Sequence, residues 1–298
     1  MLKTRLLTAV VLISVFLFAL FFLPPSGWVI FVTVIAAIAA WEWGGLMRWD
    51  GRSRLILGGV FALICLFLSL WQPAPLGLKG EFAASAWHLG QWIYLPAAAF
   101  WLLLVPCWLR QRWPLPQGLP GLLAGLLLLL PAWLALIQLR QAGELVLLAI
   151  MATVWLADSA AYFVGRRFGR RKLAPSISPG KTWEGAMGAV VAVMIYGFVL
   201  VPSLLKLNPL LLLLLMGLLT AISIIGDLFE SLLKRQAGLK DSSNILPGHG
   251  GILDRIDSLT STLPMVALIW LPKCASESLA AIRRSILSSS LRSHSPSA

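Results

Sequence analysis

The sequence predicts an all-α, polytopic membrane protein, and three observations indicate this fold class. Of the 298 residues, 59% are hydrophobic and only 12% are charged, whereas soluble domains have about 45–50% apolar and about 25% charged residues. The apolar residues form long runs, and several approach the roughly 20 residues that a helix needs to cross a bilayer. Proline and glycine separate most of these runs, which is typical of connections between helices. We therefore expect an integral membrane helix bundle of about nine transmembrane helices.

The predicted spans divide the chain into two transmembrane regions and a tail. In the N-terminal region, residues 1–140, the five spans are about 6–23, 28–47, 55–71, 92–109 and 119–137. In the C-terminal region, residues 141–275, the four spans are about 144–164, 185–203, 209–230 and 259–272. The third and the last of the nine are short for a bilayer. Residues 276–298 form a polar tail, and its Ser-rich end is expected to be partly disordered.

The first span resembles a signal peptide but is predicted to stay in the protein. It has a basic start and an apolar stretch that ends at Pro24-Pro25. This stretch is longer than the apolar part of a signal peptide, which has about 7–15 residues, and no small-residue cleavage site follows it.

The distribution of Lys and Arg indicates a cytoplasmic N-terminus. Of the 24 Lys and Arg residues, four follow the last predicted span (Lys273, Arg283, Arg284 and Arg292); of the others, 17 lie on the predicted cytoplasmic side and only Lys79, Arg140 and Lys206 on the opposite side. Positive residues favour cytoplasmic loops. The net charge of +12 is thereby explained without a nucleic-acid partner, which would require basic residues gathered on one polar face. Nine spans would place the tail outside, whereas its arginines favour the inside, so its side is left open.

Two polar connections, about residues 165–184 and 231–258, are predicted to share the cytoplasmic face and to form one site. The chain has only twelve acidic residues, and most of them lie in or near these connections. A carboxylate in a transmembrane helix costs about 2.5–3.5 kcal/mol, so such residues usually have a function or a paired cation. Structural ion pairs with the abundant arginines are the alternative for any single one. The seven acids are Asp158, Glu184, Asp227, Glu230, Asp241, Asp254 and Asp257.

The spacing of these acids favours a metal site beside a nucleotide. Asp227, Glu230 and Lys234 are spaced i, i+3 and i+7, which places them on one face of a helix. Asp254 and Asp257 would also share a face. Neighbouring carboxylates repel unless a cation lies between them, and hard oxygen ligands suit Mg²⁺. Together with nearby basic residues, they predict a site for a nucleoside triphosphate. The basic residues are Lys181, Lys234, Arg235, Lys240 and Arg255.

Two glycine-containing motifs could bring the backbone close to a phosphate. Gly180-Lys181-Thr182 precedes a predicted helix, whose free N–H groups favour an anion, although Pro175 excludes a complete P-loop. A simple helix cap by Thr182 is the alternative. His249 lies among glycines that permit close backbone approach, but a lone histidine of this kind is more often a hydrogen-bonding loop residue.

Three segments carry a family resemblance. The longest runs without a gap from Ser231 to Asp257 and contains Lys234-Arg235, Lys240-Asp241 and residues 246–257, Leu-Pro-Gly-His-Gly-Gly-Ile-Leu-Asp-Arg-Ile-Asp. The others are residues 157–185, ending in Ser-Pro-Gly-Lys-Thr-Trp-Glu-Gly, and Trp41-Glu42-Trp43 in the second span. Together they resemble the phosphatidate cytidylyltransferase (CDP-diacylglycerol synthase) family.

This resemblance implies a nucleotidyltransferase of phospholipid biosynthesis that joins CTP and phosphatidate, giving CDP-diacylglycerol and pyrophosphate. It implies a multi-pass protein of the inner (cytoplasmic) membrane whose active site faces the cytoplasm. Asp227 and Asp254 would be the principal ligands of Mg²⁺, supported by Asp257, Asp158 and Glu230, and a second, monovalent cation would lie nearby. The expected catalytic residues are Asp227, Asp254, Lys234, Lys240 and Asp241. The residues expected to bind phosphates of CTP or phosphatidate are Ser178, Lys181, Thr182, Arg235, His249, Gly250, Gly251 and Arg255.

Two other functions remain as alternatives at this point. A CTP-dependent lipid kinase would need similar triphosphate chemistry but would not put the α-phosphate of CTP on the lipid. An ion-coupled transporter would use the intramembrane acids as an ion path, but such proteins often have internal repeats, which this sequence lacks. The sequence leaves open whether the protein forms a homodimer.

Overall fold

The computed structural model describes residues 2–79, 82–200 and 208–292, and nearly all regular structure in them is helical. A 3₁₀ turn at Ala74–Leu76 precedes α4, and a π-helical turn at Phe100–Leu104 joins α4 to α5. The helices are α1 (Leu2–Phe22), α2 (Pro25–Leu46), α3 (Gly51–Trp71), α4 (Phe82–Ala99), α5 (Val105–Gln111), α6 (Leu119–Gln141), α7 (Glu144–Phe168), α8 (Trp183–Leu200), α9 (Pro209–Ala237) and α10 (Leu253–Arg292).

The all-α, polytopic fold class is confirmed. Within the described ranges, seven helical stretches are long and apolar enough to cross a membrane, and α8 is a shorter apolar helix. Every predicted span overlaps a helix, although residues 201–203 of the seventh lie outside the described residues. The third span is longer than expected, because Asp50 caps α3 by accepting hydrogen bonds from the N–H groups of Arg52 and Ser53.

The last predicted span lies inside α10, which is 40 residues long and continues through the polar tail to Arg292. Residues 293–298 lie outside the described residues. The disorder expected at the end of the tail therefore stays a prediction, as does the side of the membrane on which the tail lies.

The connection between α7 and α8 contains a short antiparallel hairpin that the sequence analysis did not predict. Strand β1 (Lys172–Ala174) pairs with β2 (Ser178–Thr182), so that Lys172 lies opposite Thr182. The strands are too short to produce a clear alternation of polar and apolar residues, which is the signal that predicts a strand. The pairing brings the end of α7 back to the start of α8.

Aromatic side chains join the N-terminal helices to α9 in the main core. Phe229 of α9 packs edge-to-face against Phe100, Trp101 and Trp108, with ring centroids 5.3–5.8 Å apart. The buried indole N–H of Trp133 donates to Thr33 Oγ1 at 2.9 Å, which links α6 to α2. These contacts join α9 to the π-helical turn and to α5, and they join α6 to α2.

Candidate active site

A polar cavity of about 770 Å³ lies at the end of the bundle where α7 and α9 end and α8 and α10 begin. Two connections border it, the first through several residues and the second through Asp241. We call them the hairpin connection (residues 169–182, between α7 and α8) and the glycine loop (residues 238–252, between α9 and α10). The ionisable residues that line the cavity are Asp158, Arg166, Lys172, Lys181, Asp227, Lys234, Asp241, Asp254, Arg255 and Asp257.

An ion pair joins the hairpin connection to α9. Lys181 Nζ lies 2.5 Å from Asp227 Oδ2, and the Ser231 hydroxyl donates to the other oxygen of Asp227 at 3.2 Å. Both charged side chains remain partly exposed to the cavity. Because Asp241 and Asp254 line the same cavity as Lys181, the two connections that the sequence placed on one face meet in one pocket.

Lys234 lies between two carboxylates at the wall of the cavity. Its Nζ is 2.5 Å from Asp254 Oδ1 and 3.2 Å from Glu230 Oε1, one helical turn earlier on α9. The Glu230 residue is only 3% exposed. A buried charge needs a partner of opposite sign, so Lys234 is the cationic partner that the two acids share, and its contact with Asp254 attaches α10 to α9.

Asp254 organises the glycine loop through its second oxygen. Oδ2 accepts hydrogen bonds from the N–H groups of Ser242 and Gly251, each at 2.8 Å, and from the Ser242 hydroxyl at 2.9 Å. Burial would raise the pKa of the Asp254 carboxyl, but the hydrogen bonds from Lys234 and Gly251 outweigh it and hold this pKa below its ordinary value. Asp254 is therefore an anion that the loop folds around.

Two adjacent glycines allow the loop to approach Asp254 so closely. Gly250 has a φ of +77°, a conformation that residues with a Cβ rarely adopt, and a Cβ there would lie 2.6 Å from Asp254 Oδ2. A Cβ on Gly251 would overlap Ser242 Oγ and the carboxylate of Glu42. Gly250 is thus required by its backbone conformation, and Gly251 is required by close packing.

Glu42, on α2, is a site residue to which the sequence analysis gave no role. Although it is 0% exposed, its two oxygens accept four hydrogen bonds. A carboxylate within an apolar run, between Trp41 and Trp43, was the signal that could have found it. Its donors are the Ser242 hydroxyl (3.1 Å), the Ser243 hydroxyl (2.6 Å), the Ile252 N–H (2.9 Å) and the Leu253 N–H (2.6 Å).

Comparison with known proteins identifies the family. The sequence matches the cytidylyltransferase family over residues 3–271. The chain belongs to this family. It is 39% identical over 278 residues to the phosphatidate cytidylyltransferase of Pseudomonas aeruginosa, covering 91% of this chain and 97% of the relative. It is 36% identical over 288 residues to that of Haemophilus influenzae, covering 91% of this chain and 99% of the relative. The resemblance in the sequence analysis is thereby confirmed.

Several residues predicted to bind phosphates in this cytidylyltransferase-family protein do line the cavity. Ser178, Lys181 and Arg255 are among them. Thr182 also borders the cavity but is buried, and its hydroxyl accepts the Gly185 N–H at 3.2 Å, as the alternative interpretation of a helix cap expects.

Other predicted residues lie away from the cavity lining. Arg235, in the last turn of α9, and Lys240, in the glycine loop, are exposed and do not line the cavity. His249 and its two following glycines shape the loop behind the wall. Glu230 is buried against Lys234. The roles assigned to these residues stay predictions.

The donor chemistry of the cavity fits a hard divalent cation. Five aspartates line it, and Mg²⁺ is typically held by one or two protein carboxylates, with substrate phosphates and water completing its shell. Among the residues that the structure describes, no three acidic, His or Cys side chains lie close enough together to hold a metal on their own. Asp227 and Asp254 each contact a lysine, so an ion bound there would replace or adjoin these lysines.

Proposed function

We propose that this protein is a phosphatidate cytidylyltransferase, which transfers CMP from CTP to phosphatidate and releases pyrophosphate. The observation that carries the proposal is the cavity at one end of an apolar bundle, where five aspartates face Lys181, Arg255 and other basic residues. Such a mixture suits a substrate whose phosphates bind both a metal and cationic side chains. Similarity to the two named phosphatidate cytidylyltransferases, over nearly their full length, supports the same reaction.

The proposed chemistry needs little acid–base catalysis from the protein. A phosphate oxygen of phosphatidate attacks the α-phosphorus of CTP, and the bond from this phosphorus to the β-phosphate oxygen breaks. Pyrophosphate leaves with the electron pair of that bond. The attacking phosphate is already an anion near neutral pH, so the barrier lies in bringing two anions together and stabilising the leaving group. Positioning and charge neutralisation address both difficulties.

We assign phosphate binding first to Lys181 and Arg255, because both line the cavity beside the aspartates. Lys181 extends from the hairpin connection and can exchange its contact with Asp227 for a phosphate. Lys234 is assigned to holding Asp254 in place, since it is buried between two carboxylates. Arg235 and Lys240 remain candidates for contacts with the leaving phosphates at the rim.

Mg²⁺ is the proposed metal, held by Asp227 and Asp254, with Asp158 and Asp257 nearby and Glu230 as buried support. When bound, Mg²⁺ would neutralise charge on the triphosphate. The second, monovalent cation stays a proposal from the family resemblance.

The proposed lipid substrate would enter from the bilayer. An apolar groove between α7, α8, α9 and α10 is lined by Thr153, Tyr196 and Met216, and it shares Ala157 with the polar cavity. A lipid with its phosphate in the cavity could therefore lay an acyl chain along the groove. The excess of basic residues on one side supports a cavity that faces the cytoplasm at the inner membrane.

Purified protein in detergent, supplied with phosphatidate, Mg²⁺ and CTP labelled at the α-phosphate, tests the proposal. We expect label in the lipid product, one pyrophosphate per turnover, and complete loss of both with a chelator. Label that enters the lipid only from the γ-phosphate would instead indicate a lipid kinase. Absence of any lipid product with either label would overturn the proposal. The mass of the detergent-solubilised protein would show whether it is a homodimer.

A further inference from the structure

The hydrogen bonds of the Glu42 carboxylate link the N-terminal region to the glycine loop and to the start of α10. It is separated by 200 or more residues from each of its four donors, and it is fully buried. Two of the donors are the backbone N–H groups of Ile252 and Leu253, at the start of α10. The first N–H groups of a helix have no partner within it, so Glu42 caps α10 from another helix.

We infer that Glu42 is a positioning residue, which holds the glycine loop and the first turn of α10 in the geometry required for the reaction. This inference rests on the proposed function. The first five residues of α10 include Asp254, Arg255 and Asp257, all of which line the cavity. A shift of this turn would move all three charged groups together.

Only a carboxylate can accept from both backbone N–H groups, one on each oxygen. Oε1 accepts from Ser243 Oγ and the Ile252 N–H, while Oε2 accepts from the Leu253 N–H and lies within hydrogen-bond distance of Ser242 Oγ. A glutamine would have to place its NH₂ group against the N–H of Ile252 or of Leu253, because an amide has one accepting oxygen and a backbone N–H cannot accept. Among the described residues Glu42 forms no ion pair, so its charge is stabilised by these hydrogen bonds and the positive end of α10.

Ser242 couples Glu42 to Asp254. Its hydroxyl lies 3.1 Å from Glu42 Oε2 and 2.9 Å from Asp254 Oδ2, and it has one hydrogen to donate. Its backbone N–H donates to Asp254 as well. A substitution of Glu42 therefore alters the hydrogen bonding of Asp254, the proposed metal ligand, although Glu42 acts on Asp254 only through Ser242.

The test combines hydrogen exchange with kinetics in the full-length protein. In Glu42→Ala and Glu42→Gln, we expect the amides of residues 252 and 253 to exchange faster, with the larger effect in the alanine variant. Loss of a hydrogen bond to a charged group predicts an acceleration of about tenfold or more. The kcat at saturating CTP and phosphatidate should fall by about 10- to 100-fold, as for other residues that orient metal ligands.

Gln138→Leu is the matched control. Gln138 is also 0% exposed and joins helices through hydrogen bonds to Tyr94 and to the carbonyls of Pro75 and Ala86. This variant should lower the thermal midpoint while leaving kcat and exchange at residues 252 and 253 near wild type. Glu42→Gln, the milder change, keeps the test valid if the alanine variant does not fold.

Three outcomes would overturn the inference: unchanged exchange in Glu42→Ala, faster exchange with unchanged kcat in both Glu42 variants, or an equal loss of kcat in Gln138→Leu. If the wild-type protein has no cytidylyltransferase activity, the proposed function fails. The exchange measurement then still decides whether Glu42 holds the loop.

Discussion

The two connections that form the cavity are held in different ways. The hairpin connection is mostly exposed and is fixed by local bonds: strand pairing, the Thr182 cap on α8, and Glu184, which accepts the N–H groups of Arg170 and Arg171. The glycine loop is anchored by buried bonds to Glu42, a residue from the other half of the chain. One wall of the cavity can therefore move its lysine with little rearrangement, whereas the other is held rigidly by distant packing.

Replacing the two proposed metal ligands gives the largest expected effects. It also compares Asp227, which contacts the hairpin connection, with Asp254, which organises the glycine loop. Asp227→Asn should lower kcat by about 10²–10³-fold or more, since it removes charge stabilisation in the transition state. Asp254→Asn should do the same and also destabilise the protein by about 1–3 kcal/mol, because its Oδ2 accepts three hydrogen bonds. Kinetics and thermal unfolding in detergent measure both.

We expect Asp227→Asn to fold normally, because among the described residues the Asp227 side chain contacts Ser231 and Lys181 and none of the glycine loop. Equal thermal midpoints for the two variants would show that Asp254 does not organise the loop. Near-normal turnover in both would rule out their roles as metal ligands.

A pair of glycine-to-alanine changes compares the walls directly. Gly251→Ala places a Cβ against Ser242 and Glu42 and should cost about 1–3 kcal/mol of stability and most of the activity. Gly180→Ala, in the hairpin connection, meets nothing within 4 Å and should be as stable as the wild-type protein. Measured activity and unfolding of both variants test the contrast, which would fail if the two changes had similar effects.

Lys181→Ala tests the proposed role of the hairpin connection in phosphate binding. We expect the KM for CTP or for phosphatidate to rise by about tenfold, as for loss of one charge-assisted hydrogen bond. Stability should change by no more than about 1 kcal/mol, because the ion pair with Asp227 is partly exposed. Separate titrations of the two substrates would show which phosphate Lys181 contacts, and unchanged KM values for both would exclude this role.

Thr182→Ala should have the smallest effect. It removes the cap of α8 and should cost about 1 kcal/mol of stability. Activity should stay close to wild type, because the buried Thr182 hydroxyl already accepts the Gly185 N–H. A large fall in kcat with normal unfolding would favour the phosphate-binding interpretation of Gly180-Lys181-Thr182 instead.

The sequence predicted what depends on local composition. Apolar runs gave the helices, and the i, i+3, i+7 spacing placed Asp227, Glu230 and Lys234 on one stretch of α9, where their contacts now lie. Charge asymmetry also predicted that the two connections share one face.

Features that depend on long-range packing could not be predicted in the same way. The role of Glu42 requires the rotation of α2 relative to α10, which no local pattern encodes. The same limit explains why Arg235 and Lys240, close in sequence to Lys234, were expected in the site but lie outside the cavity lining. Whether a basic side chain lines a cavity depends on the face of the helix that its neighbours cover.

The cap that Glu42 places on α10 has a consequence for dissecting the protein. A polypeptide beginning near residue 141 would retain all five cavity aspartates yet leave Ser243, Ile252 and Leu253 without their acceptor. We therefore expect the C-terminal half alone to be inactive. Activity from separated halves would require both to be made together and to reassociate in the same membrane.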